Sequence, residues 1–230
     1  MTETLLYAAI LAPCLIIAIV FHEVAHGLAA LALGDPTARE QRRLSLNPLR
    51  HIDPVGTLLV PGALALLGGP VFGWAKPVPI NAQRLNNPRF GMMAVAAAGP
   101  GMNLLLALVA AVLLGVVGGL GLGEGTAAAG IAATLLTTFI LINIFLALFN
   151  LLPIPPFDGS HIVGGLLPRS MAAQWQKLQQ VGMLLLVALI AATWAFPGFA
   201  LVEHTVLPPV LWLEERYFAL VQWIAGGIAR

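Results

Sequence analysis

Hydrophobic residues occupy long blocks of this chain, and short polar stretches separate the blocks. The first block covers residues 5–33, is interrupted only by His22, Glu23 and His26, and ends at Gly34-Asp35-Pro36. As a helix it would reach about 44 Å, which exceeds the roughly 30 Å hydrocarbon core of a bilayer. The pattern therefore predicts a transmembrane helix that tilts or protrudes from the membrane.

Three later apolar blocks predict further spans. They cover residues 90–120, 126–149 and 181–196. The tail, residues 197–230, is ambiguous because Glu214-Glu215-Arg216 interrupts its apolar run. It is either a span with a buried charged cluster or an amphipathic helix that lies on the membrane surface.

Residues 55–81 follow no regular pattern. Five glycines and two prolines break the apolar run over residues 55–74, which favours a re-entrant segment or a kinked span covered by other parts of the protein. Residues 71–81 mix Val, Phe, Trp, Pro and Ile and could form an extended strand or hairpin. We predict an all-α integral membrane protein in one domain (1–230). It would be a polytopic bundle of about five to six transmembrane helices, with a re-entrant or β-hairpin segment near residues 55–81.

Composition and charge support this class. Hydrophobic residues make up 59% of the chain and charged residues 9%, whereas soluble domains carry roughly 25% charged residues. The formal net charge of +1 argues against a nucleic-acid partner, which would need a strongly basic face. Seven of the eleven basic residues lie within residues 39–89. Because basic loops stay in the cytoplasm, we expect this stretch there and the N-terminus outside.

The candidate chemistry begins in the first span. His22 and His26 are four residues apart, so on a helix both imidazoles face one side and can bind a single metal ion. Glu23 stands beside them, where it can take a proton from an attacking water molecule. Ionisable residues inside a membrane helix are expensive and usually functional. The alternative is that the three side chains pair with neighbouring helices.

A catalytic zinc site uses three protein ligands, so a third one is needed. Cys14 lies about 12 Å along the same helix, too far to share a metal with the histidines. Asp158 is the best candidate, because it stands in a proline-broken apolar stretch where a carboxylate needs a cation. A role near the site stays open for His51 and Asp53, and His161 is expected beside the site or at the membrane interface rather than as a ligand.

Three motifs together resemble the site-2 protease family of intramembrane zinc metalloproteases. They are F-H-E-V-A-H-G (residues 21–27), N-L-L-P-I-P-P-F-D-G (150–159) and A-G-P-G-M-N (98–103), the last similar to the family's G-P-x-x-N motif. The resemblance covers residues 5–167, which would form the core, while the C-terminal helices (168–230) match no motif. It is closest to compact microbial members without an extra soluble domain.

The resemblance implies one zinc ion per chain. Its ligands would be His22, His26 and Asp158, and Glu23 would be the general base. It also implies that Asn103 and Asn150 line the site and hold substrate or the developing oxyanion. Hydrogen bonding between helices is the alternative for both asparagines.

The implied activity is hydrolysis of peptide bonds within or near transmembrane segments of membrane proteins. The partners would be single-span substrates and the lipid bilayer of a bacterial or archaeal cell, with the active site opening toward the cytoplasm. Assembly with further copies of the chain stays open. Residues 71–80 would offer an edge to which an unwound substrate adds as a strand. The alternative function is a membrane metal-ion transporter that uses the His/Asp cluster.

Overall fold

The computed structural model describes residues 2–66, 73–122, 126–195 and 202–229 of the chain. Within these ranges the regular structure is helical and contains no β-strand, as the all-α prediction requires. The principal helices are α1 (Thr2–Ala32), α2 (Thr37–Glu40), α3 (Val60–Leu66), α4 (Pro88–Gly119), α5 (Ala127–Asn150), α6 (Asp158–Leu166), α7 (Arg169–Gln180), α8 (Gly182–Ala195) and α9 (Leu207–Ile228). Short 3₁₀ turns lie at Pro48–Arg50 and Ala82–Arg84, and single π-helical turns at Pro54–Leu59 and Val202–Val206.

Three of the described helices are long and apolar enough to cross a membrane, namely Leu6–Ala32, Pro88–Gly119 and Ala127–Asn150. They coincide with the first three predicted spans. The predicted total of five to six spans stays a prediction, because α8 is only 14 residues long and α9 carries the Glu214-Glu215-Arg216 cluster.

The end of α1 has a local cause. Gly34 takes a left-handed conformation with φ of 104°, which glycine adopts without the steric penalty of a side chain. A Cβ added there would also lie 2.7 Å from Oδ1 of Asn86. Pro36 then follows, and the chain turns into the short helix α2.

Residues 55–81 are expected to form a re-entrant segment or a β-hairpin; the hairpin is not seen in the described residues, and the re-entrant segment stays a prediction. Residues 54–66 are helical, residues 67–72 lie outside the described ranges, and residues 73–81, named the extended segment after their predicted conformation, form neither helix nor strand. The physical reason is that the N–H groups of the extended segment donate to scattered acceptors instead of a partner strand. The pairs are Trp74 N–H to Gly56 O, Lys76 N–H to His51 O, Val78 N–H to the Glu23 carboxylate and Asn81 N–H to the Asp35 carboxylate.

The residues form two compact units. The first unit comprises Met1–Ala18, Gly101–Phe149 and Val202–Arg230. In this unit α9 packs closely on α4, because a Cβ at Gly115 or Gly119 would lie under 3 Å from Ile224 or Ile228. The hydroxyl of Tyr217 donates to the Leu104 carbonyl at 3.0 Å, which joins the same two helices.

The second unit comprises Ile19–Pro100 and Asn150–Leu201. An apolar cluster of this unit centres on Ala30, Leu85 and Val95. Asp35, fully buried, accepts hydrogen bonds from the Asn81 N–H at 2.6 Å and the Thr37 N–H at 3.0 Å. These bonds attach the extended segment to the end of α1 and so fix its course within the unit.

Candidate metal centre

The two histidines of α1 face the same side of the helix, one turn apart. Their Nε2 atoms are 3.0 Å apart, and the rings meet edge to face with centroids separated by 4.6 Å. Both residues are only 7% exposed. The structure therefore presents two buried imidazole nitrogens to one point, as the i, i+4 spacing predicted.

Asp158 joins them from the first turn of α6. Its Oδ2 lies 3.1 Å from Nε2 of His22, and its Oδ1 lies 3.4 Å from Nε2 of His26. The helix can begin at this point because Gly159 packs against backbone: a Cβ there would overlap the carbonyl oxygens of Leu151 and Leu152. The loop 151–157 thus brings a residue far along the chain to the histidines.

The three side chains fit a zinc ion. Their candidate ligand atoms all lie within 4.8 Å of one another, and a tetrahedral zinc with bonds of about 2.0–2.1 Å separates its ligand atoms by about 3.3 Å. Asp158 Oδ2 is also buried without a well-formed hydrogen bond, which a cation would satisfy. Burial alone would raise the pKa of Asp158, but the imidazoles of His22 and His26 lower it to about 2, so this ligand is ionised at neutral pH.

A backbone carbonyl sets the tautomer of His26. Nδ1 of its ring lies 2.7 Å from the Val95 carbonyl oxygen, which can only accept, so Nδ1 must carry the proton. The lone pair is then on Nε2, which faces His22 and Asp158. This arrangement is typical of metal-binding histidines. The sequence could not have revealed it, because every residue has a carbonyl group.

Gly99 of α4 makes room for both rings. A Cβ at this position would lie 2.5 Å from Cε1 and Nε2 of His26 and 2.7 Å from Cε1 of His22. The sequence pattern identified Gly99 as part of a motif, and the structure supplies the steric reason for a glycine.

Glu23 is held next to the histidines by the extended segment. Its Oε2 accepts a hydrogen bond of 2.8 Å from the Val78 N–H. The residue is half-buried, so part of it stays accessible to water. The donating N–H, like the Val95 carbonyl, is a backbone group that sequence reasoning missed.

The two predicted asparagines have different surroundings. Asn103 is fully buried in the first unit, where its Nδ2 donates to Oδ1 of Asn143 at 2.8 Å and to the Ala18 carbonyl at 3.3 Å. These bonds join three helices, as expected if Asn103 serves for hydrogen bonding between helices. Asn150 is half-buried at the end of α5. Substrate contact stays a prediction for both.

The remaining candidates make local hydrogen bonds, and a role near the site stays open for them. His51 is buried, with Nε2 2.8 Å from the Ser45 carbonyl, and Asp53 caps the π-helical turn by accepting from two backbone N–H groups. His161 lies one turn after Asp158 on α6, and its Nδ1 is 3.3 Å from Nε2 of Gln179. Burial lowers the pKa of His161, so the neutral imidazole is favoured.

Comparisons with known proteins give two matches. The family model described as "Peptidase family M50" matches residues 115–190, a range that contains Asp158. A protein of Bacillus subtilis (strain 168), named "Putative zinc metalloprotease YwhC", is 36% identical over 193 residues, which is 82% of this chain and 85% of that relative. No solved structure matches the chain.

Proposed function

Because the chain belongs to peptidase family M50, the site-2 protease family of zinc metalloproteases, we propose that it cleaves peptide bonds within or near transmembrane segments. The observation that carries this proposal is the position of the two histidines inside α1, a helix apolar and long enough to cross a membrane. His26 lies six residues and His22 ten residues before the end of α1, which is roughly 9 and 15 Å along the helix axis.

His22, His26 and Asp158 would hold one zinc ion per chain, which when bound would supply the Lewis acidity that makes water a nucleophile at neutral pH and polarises a carbonyl group. Glu23 accepts the proton of the attacking water and delivers it to the leaving amine. The Val78 N–H holds one carboxylate oxygen of Glu23 in place, so the other can meet the water. The Val95 carbonyl keeps His26 in the tautomer that leaves Nε2 unprotonated.

The orientation in the membrane follows from charge. Residues 35–89 carry most of the basic side chains and lie in the cytoplasm by the positive-inside rule. The N-terminus is then outside, and α1 ends on the cytoplasmic side. Water would reach the site over the short distance from that end of α1.

The substrates we propose are membrane proteins with a single span. A helical substrate hides its peptide bonds within its own hydrogen bonds, so it must unwind before hydrolysis. The extended segment 73–81 carries the N–H that holds Glu23, which favours this segment as the place where an unwound substrate is received.

Glu23→Gln tests the proposal directly. Purified wild-type protein and Glu23→Gln protein are incubated with single-span substrates in proteoliposomes, and bound zinc is measured in both. We expect equal zinc content and a loss of cleavage of at least about 100-fold, because the amide cannot take a proton. The matched control is Glu215→Gln, which alters an exposed glutamate of α9 and should cleave normally.

Retained cleavage by Glu23→Gln would refute the assigned base. Zinc flux into the proteoliposomes without any cleavage would instead support a metal-ion transporter.

A further inference from the structure

Four basic residues from two segments of the second unit are brought together between α2 and α4. Nη2 of Arg43 donates to the Lys76 carbonyl at 2.8 Å, and Nη1 of Arg50 donates to the Arg42 carbonyl at 2.8 Å. The Lys76 N–H in turn donates to the carbonyl of His51, the residue after Arg50. We name Arg42, Arg43, Arg50 and Lys76 the basic patch.

The charges of the basic patch have no acidic partner within the described ranges of the chain. Among the side chains that the structure describes, the one arginine or lysine in an ion pair is Arg84, which contacts Glu40 at 2.6 Å. Asp53, the acid nearest in sequence to Arg50, accepts from the N–H groups of Val55 and Gly56. The hydrogen bonds place four like charges on neighbouring segments. Like charges repel one another, and an anion bound between the segments would offset this repulsion.

Two details indicate that the patch is built to meet a ligand. Arg42 is exposed and has a left-handed backbone with φ of 54°, a conformation that costs a non-glycine residue about 1 kcal/mol. Glycine is the usual residue at such a position after a helix. Nε of Arg43 is buried without a hydrogen-bond partner, so one guanidinium N–H lacks an acceptor.

The surroundings of the patch indicate the kind of anion. Four leucines in the flanking chain are 57–72% exposed and are therefore available to contact lipid. They are Leu46, Leu49, Leu58 and Leu59. Exposed leucines next to arginines are typical of surfaces that lie in the membrane interface, with apolar side chains in the acyl region and cations at the headgroups.

We propose that the basic patch binds the phosphate of an anionic phospholipid headgroup while the flanking leucines enter the acyl region. The patch would anchor the segment between α1 and α4 to the membrane surface. This inference does not depend on the proposed hydrolysis, because none of its residues is a predicted metal ligand or the general base.

The test measures lipid binding to the full-length protein in neutral detergent micelles. Dioctanoyl phosphatidylglycerol, dioctanoyl phosphatidylcholine and inorganic phosphate are titrated separately, and bound ligand is followed by native mass spectrometry. The key variant is Arg42→Gln/Lys76→Gln, because neither side chain makes a hydrogen bond in the described residues and the fold should survive. The matched control is Arg84→Gln/Lys177→Gln, which also removes two positive charges from the second unit.

We expect phosphatidylglycerol to bind much more tightly than the other two probes. Each removed charge should weaken its binding about fivefold, or about 25-fold for the double variant, and the control should bind as the wild type does. Arg42→Gly should raise the melting temperature in lipid-free micelles and still weaken phosphatidylglycerol binding about fivefold, which a purely structural arginine would not do.

Equal binding of phosphatidylglycerol and phosphatidylcholine would overturn the proposal, as would unchanged binding by the double variant. Inorganic phosphate that binds as tightly as phosphatidylglycerol would overturn the membrane source of the ligand.

Discussion

Gly99→Ala adds one methyl group at the point where α4 approaches the two histidines. The new Cβ would lie 2.5 Å from Nε2 of His26 and 2.7 Å from Cε1 of His22. Non-bonded heavy atoms prefer separations of about 3.5 Å, so the rings or the helix must move by about 1 Å. The His26 ring cannot rotate away freely, because its Nδ1 is bound to the Val95 carbonyl.

The magnitude follows from that displacement. Catalytic groups must stay within about 0.5 Å of their productive positions, and an error of about 1 Å costs on the order of 100-fold in rate. The helix itself should gain, because alanine is more favourable than glycine inside a helix by about 1 kcal/mol. We therefore expect zinc affinity and substrate cleavage to fall by about 100-fold while the protein remains folded.

The assay compares Gly99→Ala with Gly101→Ala, a control in the same helix whose Cβ would meet nothing within 4 Å. Zinc retained after dialysis against graded chelator concentrations gives the affinity, and cleavage of a single-span substrate gives the rate. If Gly99→Ala matches Gly101→Ala in both measurements, the close approach of α4 does not shape the metal centre and the steric reasoning is wrong.

Two further substitutions test the supports of the site. Val78→Pro removes the N–H that holds Glu23 and places a proline between two existing ones. We expect about tenfold slower cleavage at unchanged zinc content. An unchanged rate would show that this hydrogen bond is dispensable. Asp35→Asn should destabilise the protein by about 2 kcal/mol at neutral pH, because Asn81 and Thr37 lose a charged acceptor, and equal melting temperatures would contradict this. Burial alone would raise the pKa of Asp35, but these hydrogen bonds lower it. The stabilisation is therefore complete above the unfolded pKa of about 3.9 and is lost as the pH falls through the folded value, so the melting temperatures of variant and wild type should converge in acid.

The sequence predicted the metal ligands with different degrees of support. The pair His22 and His26 follows from helical spacing alone, because covalent geometry puts i and i+4 on one face of any α-helix. Asp158 is expected by elimination and by resemblance, because it lies 132 positions after His26 and no local rule joins residues so far apart in sequence. The structure brings all three together in one unit.

The expected hairpin shows where the pattern was insufficient. Alternating apolar residues and prolines suit an extended chain, and residues 73–81 form no helix. Whether such a chain pairs as a strand depends on which acceptors its N–H groups meet. Here they meet the carboxylates of Glu23 and Asp35, which come from α1 and the turn after it.

By itself, the sequence determined the helical class, three long apolar helices and the paired imidazoles, because block hydropathy and helical periodicity are local properties of the chain. Only the tertiary structure decided that the Val95 carbonyl orients His26, that the Val78 N–H holds Glu23 and that Gly99 must lack a side chain. Carbonyl and N–H groups occur at almost every position, so their roles depend on which elements the folded chain brings within hydrogen-bonding distance.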